Sequence, residues 1–196
     1  GIWQLGEEAA AAANGQEPGD IKVQDVDGNG VITTDDRIIY SQRPDVTFGF
    51  NNTFNYKGFD LSVFLYARLG QWIAYDYNTT YRINALENGG NVDYWTPENP
   101  TNAFPRPNKS KSYTQVTYYS TLKYEDGSFF KIRDITLGYT FKPELLKHLN
   151  LSRLRVYATA KNFFTFSKID NYDPEQGGSI SFPMTKQLVF GLNVEF

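Results

Sequence analysis

The stretch "VTFGFNNTFNYKGFDLSVFLYARL", residues 46–69, decides the fold, because its character changes at every second residue. In its first half Phe48, Phe50, Phe54 and Tyr56 share one parity, while Thr47, Gly49, Asn51, Thr53 and Asn55 share the other. Successive side chains of an extended chain point to opposite faces, so this is a ribbon with one oily and one polar side. After the tight "YKG" turn, Phe59, Leu61, Val63, Leu65, Ala67 and Leu69 stand opposite Asp60, Ser62, Phe64, Tyr66 and Arg68. The two halves read as an antiparallel hairpin.

The same rhythm returns downstream. Ile135, Leu137, Tyr139 and Phe141 alternate with Asp134, Thr136, Gly138 and Thr140, and Phe130 and Ile132 fall on the opposite phase, which predicts a bulge near Arg133. Leu154, Val156, Ala158 and Ala160 alternate with Arg155, Tyr157, Thr159 and Lys161. In "QLVFGLNVEF", residues 187–196, Leu188, Phe190, Leu192, Val194 and Phe196 alternate with Val189, Gly191, Asn193 and Glu195. The linking "KPELLKHLNLSR" predicts a short helical connection with Pro143 in its first turn. Near the start, "EEAAAAA" at 7–13 has high helix propensity, and "NG" at 14–15 stops it. The expected architecture is all-β: an antiparallel meander of five strands over 46–196, preceded by a loop region with one short helix over 1–45. Pro-, Gly- and Asn-rich composition predicts long loops at 84–127 and 167–185.

Composition narrows the class. With 196 residues, 40% of them hydrophobic, the chain can bury one core or two small ones. An aromatic share of 16% in 14 Tyr, 15 Phe and 3 Trp favours strands over helices. No apolar run reaches the roughly 18 to 20 residues of a membrane helix, a fact that leaves strand-built membrane proteins open. A net charge of −3 with both signs scattered offers no phosphate-neutralising stripe, which argues against nucleic acid as a partner. Cysteine is absent and His148 is the single histidine, so thiolate chemistry is excluded and imidazole chemistry has little to work with.

Amphipathic strands of about ten residues fit two architectures. In a transmembrane barrel the apolar face meets lipid and tight turns alternate with long loops; in a soluble sandwich that face looks inward. Aromatics at strand ends (Phe48, Tyr56, Phe59, Tyr139, Phe141, Phe164, Phe166) favour the barrel, where such rings form girdles at both interfaces. Five strands cannot close a wide barrel, so the isolated chain is expected to self-associate or to fold its sheet over.

Several blocks resemble one family. "PGDIK", "DVDGNGVITTDDR", "FGFNNTFNYKGFDLSVFLYA", "YWTPENP", "EDGSFFKIRDITLGYTF", "LRVYATAKNFFTF", "YDPE" and "GLNVEF" together resemble the carboxy-terminal part of the SusC/RagA-type TonB-linked outer-membrane transporters. The resemblance implies a fragment: the last strands of a large barrel in the outer membrane of a Gram-negative bacterium. It implies import of oligosaccharides or peptides, energised by TonB through a missing amino-terminal part, with a SusD-like lipoprotein as lid and no enzymatic step. It also implies that Gly191, Val194 and Phe196 form the insertion signal read by the barrel assembly machinery, with Leu188, Phe190, Leu192, Val194 and Phe196 against lipid. Long loops and the Asp-rich segment then lie outside, tight turns in the periplasm. The competing reading is a secreted, calcium-stabilised all-β carbohydrate-binding module.

Three constellations invite chemistry. In "DVDGNGVITTDD", Asp25, Asp27, Asn29, Val31 (through its carbonyl), Thr33 and Asp36 fall at positions 1, 3, 5, 7, 9 and 12 of a calcium loop, with Gly30 at the turn. The aspartate at position 12 is shorter than the usual glutamate, and an Asx/Gly turn without metal is the alternative. Tyr94 and Trp95 offer flat rings to a sugar, or pin their loop. The carboxylates Glu125 with Asp126, and Asp173 with Glu175, read as solvated loop charges rather than an acid pair. On the polar face Arg68, Arg133, Arg155 and Lys161 are expected to form ion pairs across strands.

Overall fold

The structure, a computed structural model, describes residues 1–75, 77, 92–107, 122–182 and 184–196. Within the expected loop 84–127, residues 84–91 and 108–121 lie outside the described residues. The chain divides into two compact units, Ser41–Ile73 with Asp126–Phe196, and Gly1–Tyr40 with Ala74–Glu125. The expected boundary at residue 45 therefore shifts, because the amino-terminal segment packs with chain from the long loop rather than standing alone.

The first unit is a sheet. Strands β1 (Val46–Tyr56), β2 (Phe59–Leu69), β5 (Phe129–Thr140), β6 (Arg153–Ser167) and β7 (Gln187–Glu195) lie side by side in that order, all antiparallel. Two short strands, β3 (Trp72–Ala74) and β4 (Tyr124–Asp126), pair separately. β1 and β2 are joined through Lys57 (φ 48) and Gly58 (φ 91), so two residues, not three, make the turn. Both in the left-handed region, they match the twist of a two-residue hairpin. β5 leads to β6 through the helix α2 (Pro143–Leu146) and a single 3-10 turn at Lys147–Leu149, which ends at Asn150 (φ 53). Leu146 is the buried anchor of that connection.

The register explains the bulge. Against β2, Phe64 pairs with Asp134 and Leu65 with Ile132, leaving Arg133 as the extra residue. Against β6, Ile132 meets Phe164 and Asp134 meets Lys161. The insertion flips the phase of β5, so Phe130 and Ile132 join Ile135, Leu137 and Tyr139 on one face. Without it they would lie among the charges.

Following the paired positions across the sheet, one face carries Phe48, Phe50, Leu61, Leu65, Ile132, Leu137, Val156, Phe164, Leu192 and Phe190. The other carries Thr47, Asn51, Asp60, Arg68, Lys131, Thr136, Arg155, Thr159 and Asn193. Among the described residues this oily face stays exposed: Tyr56 is 69%, Leu192 65% and Phe190 77% exposed. Burying a side chain of this kind is worth about 1.5–3 kcal/mol. A surface made of such residues is therefore poorly suited to water. Among the described residues the five strands form one sheet in which β1 and β7 do not pair to close a small barrel. β1 and β7 are its two open edges among the described residues.

Candidate functional site

The polar face is held by side chains that reach across strands. Arg155 of β6 grips Asp60 of β2 with two hydrogen bonds, Nε to Oδ1 at 2.9 Å and Nη2 to Oδ2 at 2.5 Å. The pair passes over Gly138 of β5, where an added Cβ would collide with both partners. Gly191 of β7 likewise lies under the ring of Tyr157, and the Arg155 guanidinium sits 5.0 Å from that ring. Glycine serves here by having no side chain, so neighbours can cross it. Lys161 meets Asp134 at 3.6 Å, so two of the four cations named from the sequence form the expected ion pairs across strands, while Arg133 meets Glu175 of a loop turn at 3.0 Å. Arg68 instead donates Nε–H to the Tyr66 hydroxyl at 2.8 Å.

The strongest polar contact on this face was not anticipated. Lys131 is fully buried, and its ammonium donates to Asp173 at 2.8 and 2.6 Å and to Glu175 at 2.8 Å. Asp173 caps a 3-10 turn at Pro174–Gln176, accepting from Glu175 N–H, so the turn aims both carboxylates at one cation. The sequence reading of Asp173 and Glu175 as solvated charges is corrected: each side chain is only 12% exposed. A lysine between Phe130 and Ile132 in "FFKIRD" was the available signal, since a charge on a strand flanked by apolar residues needs a partner. Asp126 accepts from Ser128 N–H and pairs with Lys168, and His148 is exposed. None of these arrangements is an acid and base pair.

The second unit holds the Asp-rich loop. Carboxylate oxygens of Asp25, Asp27 and Asp36 lie within 4.8 Å of one another. Asp25 accepts from the backbone N–H of Gly28 and Gly30, both at 2.7 Å, which curls the loop around it. Gly30, at φ 83, makes the sharp turn that position requires. Asp36, buried, accepts from Thr33 N–H and Val26 N–H, each at 2.7 Å, and closes a capping box with Thr33. Of the other positions named from the sequence, Asn29 turns its amide oxygen to Val31 N–H and its nitrogen to Asp27, and the Thr33 hydroxyl accepts from Asp35 N–H. Asn29 thus braces the loop with its nitrogen on the Asp27 carboxylate and its oxygen turned to the backbone, and Thr33 braces the turn at Thr34–Asp36. No Lys or Arg among the described residues pairs with the three aspartates.

The N–H donors of Thr33, first, and of Val26 hold the Asp36 carboxyl below the usual aspartate range. The unfolded chain then binds a proton more readily than the folded loop, so the ionised carboxylate stabilises the loop at every pH above the ordinary aspartate value. That contribution is lost as pH falls through the lowered value. Protection of the Val26 and Thr33 amides, measured against the unstructured exchange rate at the same pH, should stay high from neutral pH down to the ordinary carboxylate range and fall below it; in Asp36→Asn it should be low throughout.

Trp95 is buried, 4% exposed, in a cluster with Ile2 and Ile21, and its indole N–H donates to Gln4 at 2.9 Å. A Cβ on Gly19 would sit 2.5 Å from the ring. The stacking role offered to Trp95 is thus corrected, since the ring has no face free for a sugar. It pins its segment. Tyr94 remains exposed.

No family model matches the chain. Individual proteins do. It is 31% identical over 222 aligned residues to TonB-dependent receptor P3 of Formosa agariphila, covering 100% of this chain and 21% of that protein. It is 31% identical over 181 residues to TonB-dependent receptor SusC of Bacteroides thetaiotaomicron, covering 88% of this chain and 17% of SusC. Among solved structures, the RagAB peptide importer in its closed-closed state superposes with a TM-score of 0.64 at 27% identity, over 89% of this chain and 20% of that one. The chain is a partial-length match to the SusC/RagA-type TonB-dependent transporters.

The chain spans about a fifth of the length of these relatives. Its kinship is with outer-membrane transport proteins, and its fold is that of a barrel segment. The buried carboxylates of its polar face are engaged by cations, in keeping with a wall rather than a catalytic centre.

Proposed function

We propose that this chain is a wall segment of a TonB-dependent outer-membrane importer, with its apolar face against lipid and its polar face toward the passage. One observation carries the reading: a continuous five-strand apolar face that is exposed among the described residues, backed by a face of cross-strand ion pairs. Lipid is the environment that suits such a face, whereas a secreted module would have to cover it. Open edges at β1 and β7 fit a sheet continued by further strands. The cargo is a peptide or an oligosaccharide, peptides being the cargo named for the structural relatives. A SusD-like lipoprotein acts as the outer lid, and TonB supplies energy through parts of the protein beyond this segment. In the assembled protein, fractionation after a carbonate wash should leave it in the outer-membrane pellet with heat-shifted electrophoretic mobility; recovery in the soluble fraction contradicts the reading.

The aspartate loop holds calcium in this proposal. Oxygen-only donors, three carboxylates without a basic partner and a glycine at the turn suit a hard divalent cation. Asp25, Asp27 and Asp36 would hold it, with the Val31 carbonyl, and the ion would cross-link the loop. Calorimetric titration should show calcium binding that is lost in Asp25→Asn, together with a rise in thermal midpoint on adding calcium to the parent protein. No heat and no shift at millimolar calcium would remove the ion from the account.

A further inference from the structure

Most charges on the polar face are neutralised within the sheet, and one guanidinium is not. Tyr66 stands at the centre of the exception. Its ring is 5.5 Å from the Arg68 guanidinium carbon and 5.2 Å from that of Arg133, and it packs on Phe64 and on the buried Phe129. Arg68 spends one donor, Nε–H, on the Tyr66 hydroxyl; its terminal nitrogens meet no acceptor among the described residues. The carboxylates of Asp173 and Glu175 are already taken: Asp173 gives both oxygens to Lys131, while Glu175 gives one to Lys131 and the other to Arg133. Asp45, on the face of Arg68 with its carboxylate beside Gly70, makes no ion pair with Arg68 among the described residues. Across β1 the facing positions are Thr47, Gly49 and Asn51, which supply no charge.

The backbone also marks this place. Arg133 is the extra residue of the β5 bulge, and a bulge re-aims the side chain it inserts. Arg68 is only half-buried, so its free fork is reachable. A guanidinium with two terminal nitrogens unused, braced by a tyrosine and accompanied by a second guanidinium, matches the geometry of a carboxylate.

We propose that Arg68 and Arg133, both set against the Tyr66 ring, form a carboxylate-binding site on the polar face that engages an acidic group of the imported ligand. The inference rests on the reading of that face as the wall of the passage. Two cargo chemistries carry the group, an acidic peptide and a uronate-containing oligosaccharide.

The test uses the intact protein that carries this chain, purified in detergent, with two matched pairs of probes in calorimetry: triglutamate against triglutamine, and trigalacturonate against galactotriose. The charged member of at least one pair should bind roughly tenfold or more tightly than its neutral counterpart, with the advantage shrinking as salt rises. Which pair shows it identifies the source of the carboxylate. Arg68→Gln should abolish the advantage, an unchanged thermal midpoint in detergent showing that the variant is folded, and Arg68→Lys should restore it only in part. Equal binding within both pairs, no binding of either charged probe, or an advantage that survives in both Arg68→Gln and Arg133→Gln would overturn the proposal. If the protein fractionates with the outer membrane and yet binds without regard to charge, this inference alone falls. If it proves soluble, the reading beneath it falls as well.

Discussion

Lys131→Met should lower the stability of the protein by about 3–5 kcal/mol, the range for removing one partner of a buried ion pair. The side chain is wholly buried, and its ammonium is the shared cation of Asp173 and Glu175, whose side chains are 12% exposed. Methionine fills the space but leaves two carboxylates close together with little water, and only Arg133 to offset one of them. Either the charges stay and repel or the turn at Pro174–Gln176 swings out to hydrate them. Both routes release the segment between β6 and β7. Guanidinium titration in detergent micelles reads the first effect, and limited proteolysis within 168–182 reads the second. The triple change Lys131→Met, Asp173→Asn, Glu175→Gln should recover much of the loss, because it removes the stranded charge along with its partner. A loss below about 1 kcal/mol for Lys131→Met would place the cluster among exposed, weakly coupled pairs.

Gly138→Val should also be strongly destabilising, by about 2–4 kcal/mol, from overpacking plus the loss of charged hydrogen bonds. The sign is informative. On strand propensity alone valine is better than glycine in a strand interior, so an ordinary position would gain stability. Here the new side chain would enter the space crossed by the Asp60 carboxylate and the Arg155 guanidinium. Those two bind β2 to β6 over the top of β5. Thr136→Val, on the same face and strand but away from that crossing, should cost less. In an Asp60→Asn, Arg155→Gln background the penalty of Gly138→Val should shrink, since the partners no longer need the gap. The same titration measures all four variants, and a neutral or stabilising Gly138→Val would contradict the three-strand clamp.

Much of this sheet was legible in the sequence because its information is periodic. Alternation from Val46 onward marks strands; the phase slip between Phe130 and Ile135 marks the bulge at Arg133; the alanine run and Pro143 mark the helices at Glu8–Ala13 and Pro143–Leu146. The aspartate spacing likewise brought Asp25, Asp27 and Asp36 together. What stayed hidden depends on contacts between distant residues. Three-residue strands such as Trp72–Ala74 are too short to show a period. Lys131 and Asp173 are 42 residues apart, and only the fold brings them together. Trp95 is buried by Gly19, Ile2 and Ile21 from the other end of the chain, a partnership no local pattern encodes. The unit boundary escaped for the same reason.

The central claim is that the oily face of the five strands meets lipid. This segment has no cysteine, so each label is placed at one site within it, with any cysteine elsewhere in the intact protein replaced by serine. In the intact protein reconstituted in vesicles, a fluorophore on Leu137→Cys or Phe190→Cys should be quenched by brominated acyl chains and spared by aqueous iodide. The same label on Thr136→Cys or Val189→Cys, one residue along and on the opposite face, should give the reverse. Labels at Leu137 and Phe190 that both quenchers leave untouched would place that face inside a protein core, and the account of this chain as a membrane wall would be wrong.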